Sequence, residues 1–209
     1  GIERVTEKII EAADNLKAIV FTGIDYKDFI PAWERATSKG IAIANVPDGP
    51  TQAVAEWSIT AALAMNRSMF GLGRAGDKKF QTTKGLKNQH IGLIEYRRIG
   101  TTIARMVKIF EPASVSYFNR TRKQEIESDL GVQYKTIDDI FRQSDIVFLC
   151  VPKGVGKGFI GEGLLLLMKK DSLLINIIHS GVIDENALLK QLESGNIRAI
   201  SDPPMTIDG

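Results

Sequence analysis

The residues with the clearest capacity for chemistry lie in one short segment that follows an apolar run, Glu95-Tyr96-Arg97-Arg98-Ile99-Gly100. Between a strand and a helix, a dinucleotide-binding turn has the pattern G-x-G-x-x-G. Its glycines permit the tight turn, the approach of a pyrophosphate and close helix packing, respectively. Only the third glycine, Gly100, is present here, and Glu95 and Arg97 replace the other two. The position favours a phosphate contact for Arg97 or Arg98; the alternative is that both side chains are simply solvated at the start of a helix.

Apolar and amphipathic runs alternate along the chain, which is typical of an α/β protein. In the first part, strands are predicted at 16–22 and 41–46, helices at 29–38 and 52–70, and a connector at 71–87. The second part is more regular, with strands at 91–94, 114–118, 145–151, 172–178 and 197–201, and helices at 101–110, 137–143, 162–169 and 184–193. The last helix has Asp184 as a candidate N-cap and Gly195 beyond its end. Continuous apolar strands separated by helices predict a doubly wound parallel sheet.

Composition excludes several classes of function. The 209 residues include 27 basic and 25 acidic side chains, with no basic block, so a nucleic-acid partner is not expected. No apolar stretch approaches the roughly 20 residues of a membrane span, so no membrane association is expected. The single cysteine, Cys150, excludes an internal disulfide and favours a reducing, cytoplasmic location. The first residues lack both an initiator Met and the layout of a signal peptide, so a fragment or a processed chain is expected.

Five collinear segments resemble the D-isomer-specific 2-hydroxyacid dehydrogenases, the family of the phosphoglycerate, glycerate, D-lactate and phosphite dehydrogenases: 16–29, 39–67, 91–110, 145–152 and 164–197. The resemblance implies a Rossmann nucleotide domain together with part of a flavodoxin-like substrate domain. The implied boundaries are 1–50 for the partial substrate domain, 51–85 for an interdomain helix and connector, and 86–209 for the dinucleotide-binding domain. The opening strands of the substrate domain and the return segment with the family's catalytic His are expected to be absent from this chain.

The same resemblance implies a set of cofactor-binding positions: Tyr96, Arg97, Arg98, Ile99, Gly100, Asn119, Arg120, Thr121, Cys150, Val151, Pro152, Ile177, Ile178 and Asp202. Asn119 stands where an acidic residue would bind the adenosine ribose of NAD. A neutral Asn does not repel a 2′-phosphate, and Arg120 or Arg122 can pair with one. NADP is therefore favoured over NAD as the cofactor.

The catalytic positions implied by the resemblance are altered. His179 stands where the family has the Arg that clamps the substrate carboxylate, and a neutral His cannot replace that clamp. The alternative is that His179 is a strand-end residue with no catalytic role. The Glu that orients the catalytic His has no match after Asp202, and Asp25 replaces a small Gly in the substrate loop.

Three hypotheses remain open on the sequence. The first is an NAD(P)-dependent oxidoreductase that transfers hydride between the cofactor and a small 2-hydroxy or 2-keto acid, with low activity in this chain. The second is a catalytically silent member that binds nucleotide or another protein. The third is an incomplete fragment. A homodimer is also expected, because helix 52–70 has apolar residues around much of its circumference and the resembled family uses it at the subunit interface.

Overall fold

The computed structural model of the protein describes residues 4–23, 26–69, 83–152, 154–178 and 181–202. The chain divides into two compact units, Gly1–Gln52 and Ala53–Gly209. The first unit contains a pair of parallel strands and two short helices: α1 (Glu7–Ala12), β1 (Ala18–Phe21), α2 (Trp33–Ser38) and β2 (Ala42–Asn45). Its small core is formed by the buried residues Ile10, Ala36 and Ile41. A strand, a helix and a parallel strand in succession agree with the predicted α/β class.

A long helix, α3 (Thr51–Asn66), precedes the six strands and five helices described in the rest of the chain. These are β3 (His90–Ile94), α4 (Arg98–Lys108), β4 (Ser114–Phe118), α5 (Gln124–Leu130), β5 (Gln133–Tyr134), α6 (Ile137–Gln143), β6 (Ile146–Leu149), α7 (Glu162–Leu167), β7 (Ser172–Asn176), α8 (Glu185–Glu193) and β8 (Ile197–Ser201). The strands form one parallel sheet in the order β5-β4-β3-β6-β7-β8. This is the predicted doubly wound sheet.

The strand order places a switch point between β3 and β6. From β3 the chain moves outward to β4 and β5, then returns to the other side of β3 and continues through β6, β7 and β8. Since helices after β3 and after β6 leave in opposite directions, a crevice opens at the carboxyl ends of these two strands. Any ligand of this sheet is expected between the residues that follow Ile94 and those that follow Leu149.

The sheet is buried on both faces. All four residues of β6 and all five of β7 are buried, as are Ile91 to Ile94 in β3. Neighbouring side chains of a strand point to opposite faces of the sheet. Phe148 therefore packs in the apolar cluster on one face, and Leu149 packs in the apolar cluster on the other face. Two apolar layers of this kind fix the central strands and therefore the loops at their carboxyl ends.

Several element boundaries differ from the predicted ones for identifiable reasons. The helix predicted at 29–38 begins only at Trp33, because Pro31 has no backbone N–H and restricts the residue before it. The helix predicted at 101–110 begins earlier, at Arg98. Asp184 is the N-cap of α8, as predicted: its Oδ1 accepts a hydrogen bond of 3.0 Å from the N–H of Ala187.

The long helix α3 ends at Asn66 instead of Phe70, and the position of Phe70 lies outside the described residues. Ser68 has φ +53°, a left-handed conformation that does not continue a helix. The guanidinium of Arg198, on β8, donates hydrogen bonds to the carbonyl of Met65 (3.0 Å) and to Oδ1 of Asn66 (2.9 Å). The carboxyl end of α3 is therefore held against the edge strand of the sheet. Within the described ranges, no helix is long and apolar enough to cross a bilayer.

Candidate functional site

The amino end of α4 meets the crevice between β3 and β6. Arg97 is the N-cap of this helix, and its side chain makes no capping hydrogen bond. The first N–H groups of a helix have no partner inside the helix, and together with the helix dipole they favour an anion. The geometry at this end of α4 therefore suits a phosphate group.

Gly100 lets α4 pack directly on the turn that precedes it. A Cβ atom added at Gly100 would lie 2.6 Å from the carbonyl oxygen of Glu95, and backbone cannot move aside as a side chain can. This close approach is the packing role assigned to the third glycine of the fingerprint. The one glycine that the sequence retains is thus required by the geometry.

We expect Gly100→Ala to lower the free energy of unfolding by about 1–3 kcal/mol, as overpacking does in tight contacts. Urea unfolding followed by circular dichroism measures this change. The matched control is Gly163→Ala in α7, where an added Cβ has no neighbour within 4 Å. Since Ala is the better helix former, that variant should be neutral or up to about 1 kcal/mol more stable. Equal effects of the two substitutions would contradict the close contact at Gly100.

Glu95 occupies the position of the first glycine and keeps the backbone conformation of that glycine. Its φ is +72°, in the left-handed region that side chains disfavour. Its side chain is only 7% exposed, and its Oε2 accepts a hydrogen bond of 3.1 Å from Nε of Arg97, which is 57% exposed. A buried carboxylate therefore lies in the turn where a dinucleotide-binding loop has no side chain.

The predicted position Asn119, at the end of β4, braces this same turn. Asn119 is buried; its Oδ1 accepts a hydrogen bond from the N–H of Tyr96, and its Nδ2 donates to the carbonyl of Tyr96 at 3.4 Å. Both polar atoms of the amide are thus used within the protein. The side-chain contacts of Asn119 in the structure are therefore with the backbone of Tyr96.

The side chain of Tyr96 faces the core and not the crevice. Tyr96 is fully buried, and its ring lies 4.7 Å from that of Tyr117. Burial raises the pKa of Tyr96 to about 12. The half-buried Ile99 packs against the same core cluster. These two predicted site residues therefore contribute to the turn through packing and backbone position.

Two arginines that follow Asn119 differ in their contacts. Arg122 binds Glu127 through two hydrogen bonds of 2.8 and 2.7 Å and lies 5.7 Å above the ring of Tyr134. The pairing with Arg122 lowers the pKa of Glu127 to about 2. Arg120 and Thr121 are exposed, and Arg120 makes no hydrogen bond or ion pair with any residue in the described part of the chain. Of the two, Arg120 is the cation that a ligand can engage.

The other side of the crevice is formed by the segment after β6. The N–H of Cys150 donates to the carbonyl of Ile94 at 2.9 Å, which ties this segment to the end of β3. Burial, and secondly the charge of Glu95, raise the pKa of the Cys150 thiol to about 12. Val151 is buried and Pro152 half-buried. The thiol is thus neutral and packs as a small apolar group against the core.

Asn176, which was not among the predicted site residues, joins the ends of β7 and β8. Its Oδ1 accepts from the N–H of Ile178 (3.2 Å), its Nδ2 donates to Oγ of Ser201 (3.1 Å), and its carbonyl accepts from the N–H of Asp202 (2.9 Å). The predicted positions Ile177, Ile178 and Asp202 are thereby brought to one edge of the sheet. A buried Asn that ends an apolar strand is the signal in the sequence that identifies it.

The proposed catalytic position His179 lies outside the described residues, and so does Asp25. The other histidine, His90, begins β3 and therefore lies at the opposite edge of the sheet from the crevice. Its Nδ1 lies 2.9 Å from Oγ of Ser114. His90 therefore has a local structural contact and lies too far from the crevice to contact a ligand there.

Comparison with known proteins decides the family. Residues 59–202 match the family model described as "D-isomer specific 2-hydroxyacid dehydrogenase, NAD binding domain". The chain belongs to this family. The match covers the whole six-stranded sheet, so this part of the 2-hydroxyacid dehydrogenase chain is its nicotinamide-dinucleotide domain.

Relatives and solved structures agree with that assignment. The chain is 34% identical to the glyoxylate reductase of Pyrococcus horikoshii over 206 residues, which cover 92% of this chain and 61% of that protein. A D-2-hydroxyisocaproate dehydrogenase structure superimposes with a TM-score of 0.81 at 25% identity, over 94% of this chain and 61% of that one. An acyclic imino acid reductase in complex with NADPH and D-Arg gives 0.71 at 28% identity, over 98% and 67%. The chain thus spans about three fifths of the length of the glyoxylate reductase it matches.

As a 2-hydroxyacid dehydrogenase domain, the chain combines the frame of a dinucleotide-binding sheet with an altered anion site. The packing at Gly100 and the crevice between β3 and β6 suit a dinucleotide. The buried Glu95 does not, because a carboxylate next to a phosphate costs electrostatic energy. The shape of the site therefore favours a dinucleotide, whereas the charge of the Glu95 carboxylate opposes its binding.

Proposed function

We propose that the chain is the cofactor-binding part of an NAD(P)-dependent oxidoreductase that interconverts a small 2-hydroxy acid and its 2-keto acid. The observation that carries this proposal is the uncapped amino end of α4, packed through Gly100 on the turn after β3 at the switch point. The bound cofactor would supply or accept the hydride. Arg97, Arg98 and the backbone at Ile99 would face its pyrophosphate, with Arg120 and Thr121 near the adenosine ribose. The free thiol of Cys150 is consistent with a cytoplasmic location.

The remaining predicted positions would complete the cofactor site. In this proposal Cys150, Val151 and Pro152 lie beside the adenosine ribose, and Ile177 and Ile178 line the nicotinamide side. Asp202 would accept a hydrogen bond from the nicotinamide carboxamide. His179 would stand at the substrate carboxylate. The contacts of Asn176 support this arrangement, because they bring the ends of β7 and β8 to one edge of the sheet.

A direct experiment tests this function. The protein is titrated with NADPH and with NADH while the fluorescence of the bound nicotinamide is followed. Turnover is then measured with glyoxylate and hydroxypyruvate. Saturable binding of either cofactor supports the proposal, and the absence of binding to both would remove it.

We further propose that NADP(H) is preferred over NAD(H). Two features support the preference: Asn119 places no negative charge near the ribose, and Arg120 is exposed and available for a 2′-phosphate. Arg122 is already bound to Glu127, so it contributes less than its position in the sequence suggests. Asn119→Asp is an ambiguous test, since it would also disturb the bond from Nδ2 to the carbonyl of Tyr96.

We expect Arg120→Ala to weaken NADPH binding by roughly tenfold to a hundredfold and to leave NADH binding within about twofold, because only NADPH carries the 2′-phosphate. Isothermal titration calorimetry with both cofactors measures the ratio. Arg122→Ala is the matched control, since it removes an arginine two residues away that is paired internally. That variant should leave the NADPH-to-NADH ratio unchanged. A preference for NADH in the unmodified protein would refute the proposal.

A silent family member is the second candidate, and a specific observation favours it. The buried carboxylate of Glu95 lies in the phosphate turn, and His179 replaces the carboxylate-binding Arg of the family. Under this alternative the domain binds nucleotide weakly, or serves as an interaction module, without turnover. Nucleotide binding with no reduction of any 2-keto acid distinguishes it from the enzyme.

We propose a homodimer in which α3 takes part. Trp57, Leu63 and Met65 are half-buried and pack on the core cluster, and Met69, just beyond the helix, is 59% exposed. The apolar surface left on this side of the chain suits a second copy. Multi-angle light scattering at micromolar concentration should give twice the 23.0 kDa chain mass. A species of 23 kDa alone would exclude the dimer.

A further inference from the structure

A carboxylate of the protein itself lies beside the N-cap residue of α4. The carboxylate of Glu95 lies 3.1 Å from Nε of Arg97, the N-cap residue of the helix. It is also close enough to the Cys150 thiol, across the crevice, for its charge to affect that thiol. The carboxylate is therefore located at the switch point, between the ends of β3 and β6.

The backbone around Glu95 is held in place from two sides. Its carbonyl is packed against Gly100 so closely that no Cβ fits between them. Its N–H donates to the carbonyl of Phe118 at 2.8 Å, and the next residue, Tyr96, is held by Asn119. These contacts hold the backbone of the turn, so the side chains of Glu95 and Arg97 are the parts best able to adjust to a ligand.

The two side chains differ in how they can respond. Glu95 is 7% exposed, whereas Arg97 is 57% exposed and is free to rotate toward solvent or toward a ligand. A buried carboxylate is stabilised by its cation, and that cation is also the group best placed to bind an incoming phosphate. One guanidinium would thus have to serve both the internal carboxylate and a bound phosphate.

Resting on the proposed function, we infer that Glu95 is an internal competitor for the pyrophosphate subsite and that it sets ligand specificity there. A dinucleotide binds only when its phosphate takes Arg97 from Glu95. A nucleotide without a diphosphate avoids this competition. The pair therefore weakens the binding of dinucleotides and leaves the adenosine subsite unaffected.

Calorimetric titration of the whole chain with two probes tests this inference. NADPH occupies both subsites, whereas adenosine 2′-monophosphate carries no diphosphate. We expect Glu95→Gln, which keeps the size and removes the charge, to tighten NADPH binding by about tenfold or more. Binding of adenosine 2′-monophosphate should stay within about twofold. Glu111→Gln is the matched control, since Glu111 is paired with Lys87 at an exposed site before β4, and it should change neither affinity.

The outcomes separate the inference from the proposed function. Tighter NADPH binding in Glu95→Gln, with unchanged binding of the monophosphate, supports the inference. If the unmodified chain binds both ligands and Glu95→Gln changes neither, the inference is wrong and the proposed function stands. If neither ligand binds to either protein, both are wrong. A thermal denaturation scan of each variant confirms that the comparison is made between folded proteins.

Discussion

Mixed with NADPH and glyoxylate, the 209-residue chain should oxidise the cofactor at least about 10²–10⁴ times more slowly than a glyoxylate reductase assayed beside it. The loss of even one charged contact at an active site has an effect of this size. In the resembled mechanism an Arg binds the substrate carboxylate with two hydrogen bonds. His179 stands in its place, and a neutral imidazole cannot form that pair of hydrogen bonds. Absorbance at 340 nm measures the rate.

The resembled mechanism also needs a histidine that transfers a proton to or from the substrate. The chain contains two histidines. One is His179 itself, and the other, His90, lies four residues before the carboxyl end of β3, a distance of about 13 Å along the strand. We therefore expect His179→Arg alone to leave turnover at the background rate. Robust reduction of glyoxylate by the unmodified chain would show that another set of residues performs the chemistry.

The parts of the fold that the sequence predicted well share one property. Strands β4 and β8 and helix α6 have the predicted bounds, since each is a continuous apolar or amphipathic run between turn residues. Helix α5 was not predicted. It has no buried residue, and it is held by Glu127, which binds Tyr117 and Arg122. The bond from Tyr117 joins this helix to strand β4, so the pattern within the helix itself does not show it.

The sequence predicts the turn after β3 but not the contacts within that turn. The pattern after β3 located the turn, and Gly100 has the expected packing role. The pattern could not show that Asn119 is bound to Tyr96, because these residues are 23 positions apart and meet only through the pairing of β3 with β4. It also could not show that Glu95 adopts a glycine conformation, since side chains rarely do so.

Restoring the glycines, with Glu95→Gly and Arg97→Gly together, should tighten NADPH binding by about tenfold, because the loss of the repulsion by Glu95 outweighs the loss of Arg97 as a phosphate partner. Removing the carboxylate abolishes its repulsion of the pyrophosphate, and repulsion at close range in a partly buried site is worth several kcal/mol. Removing both side chains also opens the space through which the pyrophosphate approaches the backbone. Because the two residues are each other's ion-pair partners, the double variant leaves no unpaired buried charge. Isothermal titration calorimetry measures the affinity.

The double variant should also be more stable than the unmodified chain. A second variant is therefore needed to separate general stabilisation from the removal of the carboxylate. A residue with a side chain at φ +72° is strained by about 1 kcal/mol relative to glycine, which corresponds to a rise in Tm of roughly 2–4 °C. Glu111 is a second glutamate in a left-handed conformation, with φ +54°, and it lies before β4, away from the carboxyl ends of the strands. Glu111→Gly should therefore raise Tm by a similar amount and leave NADPH binding unchanged. If Glu111→Gly tightened NADPH binding as much as the double variant does, general stabilisation would explain the gain in affinity. The removal of the carboxylate from the phosphate turn would then not be the cause.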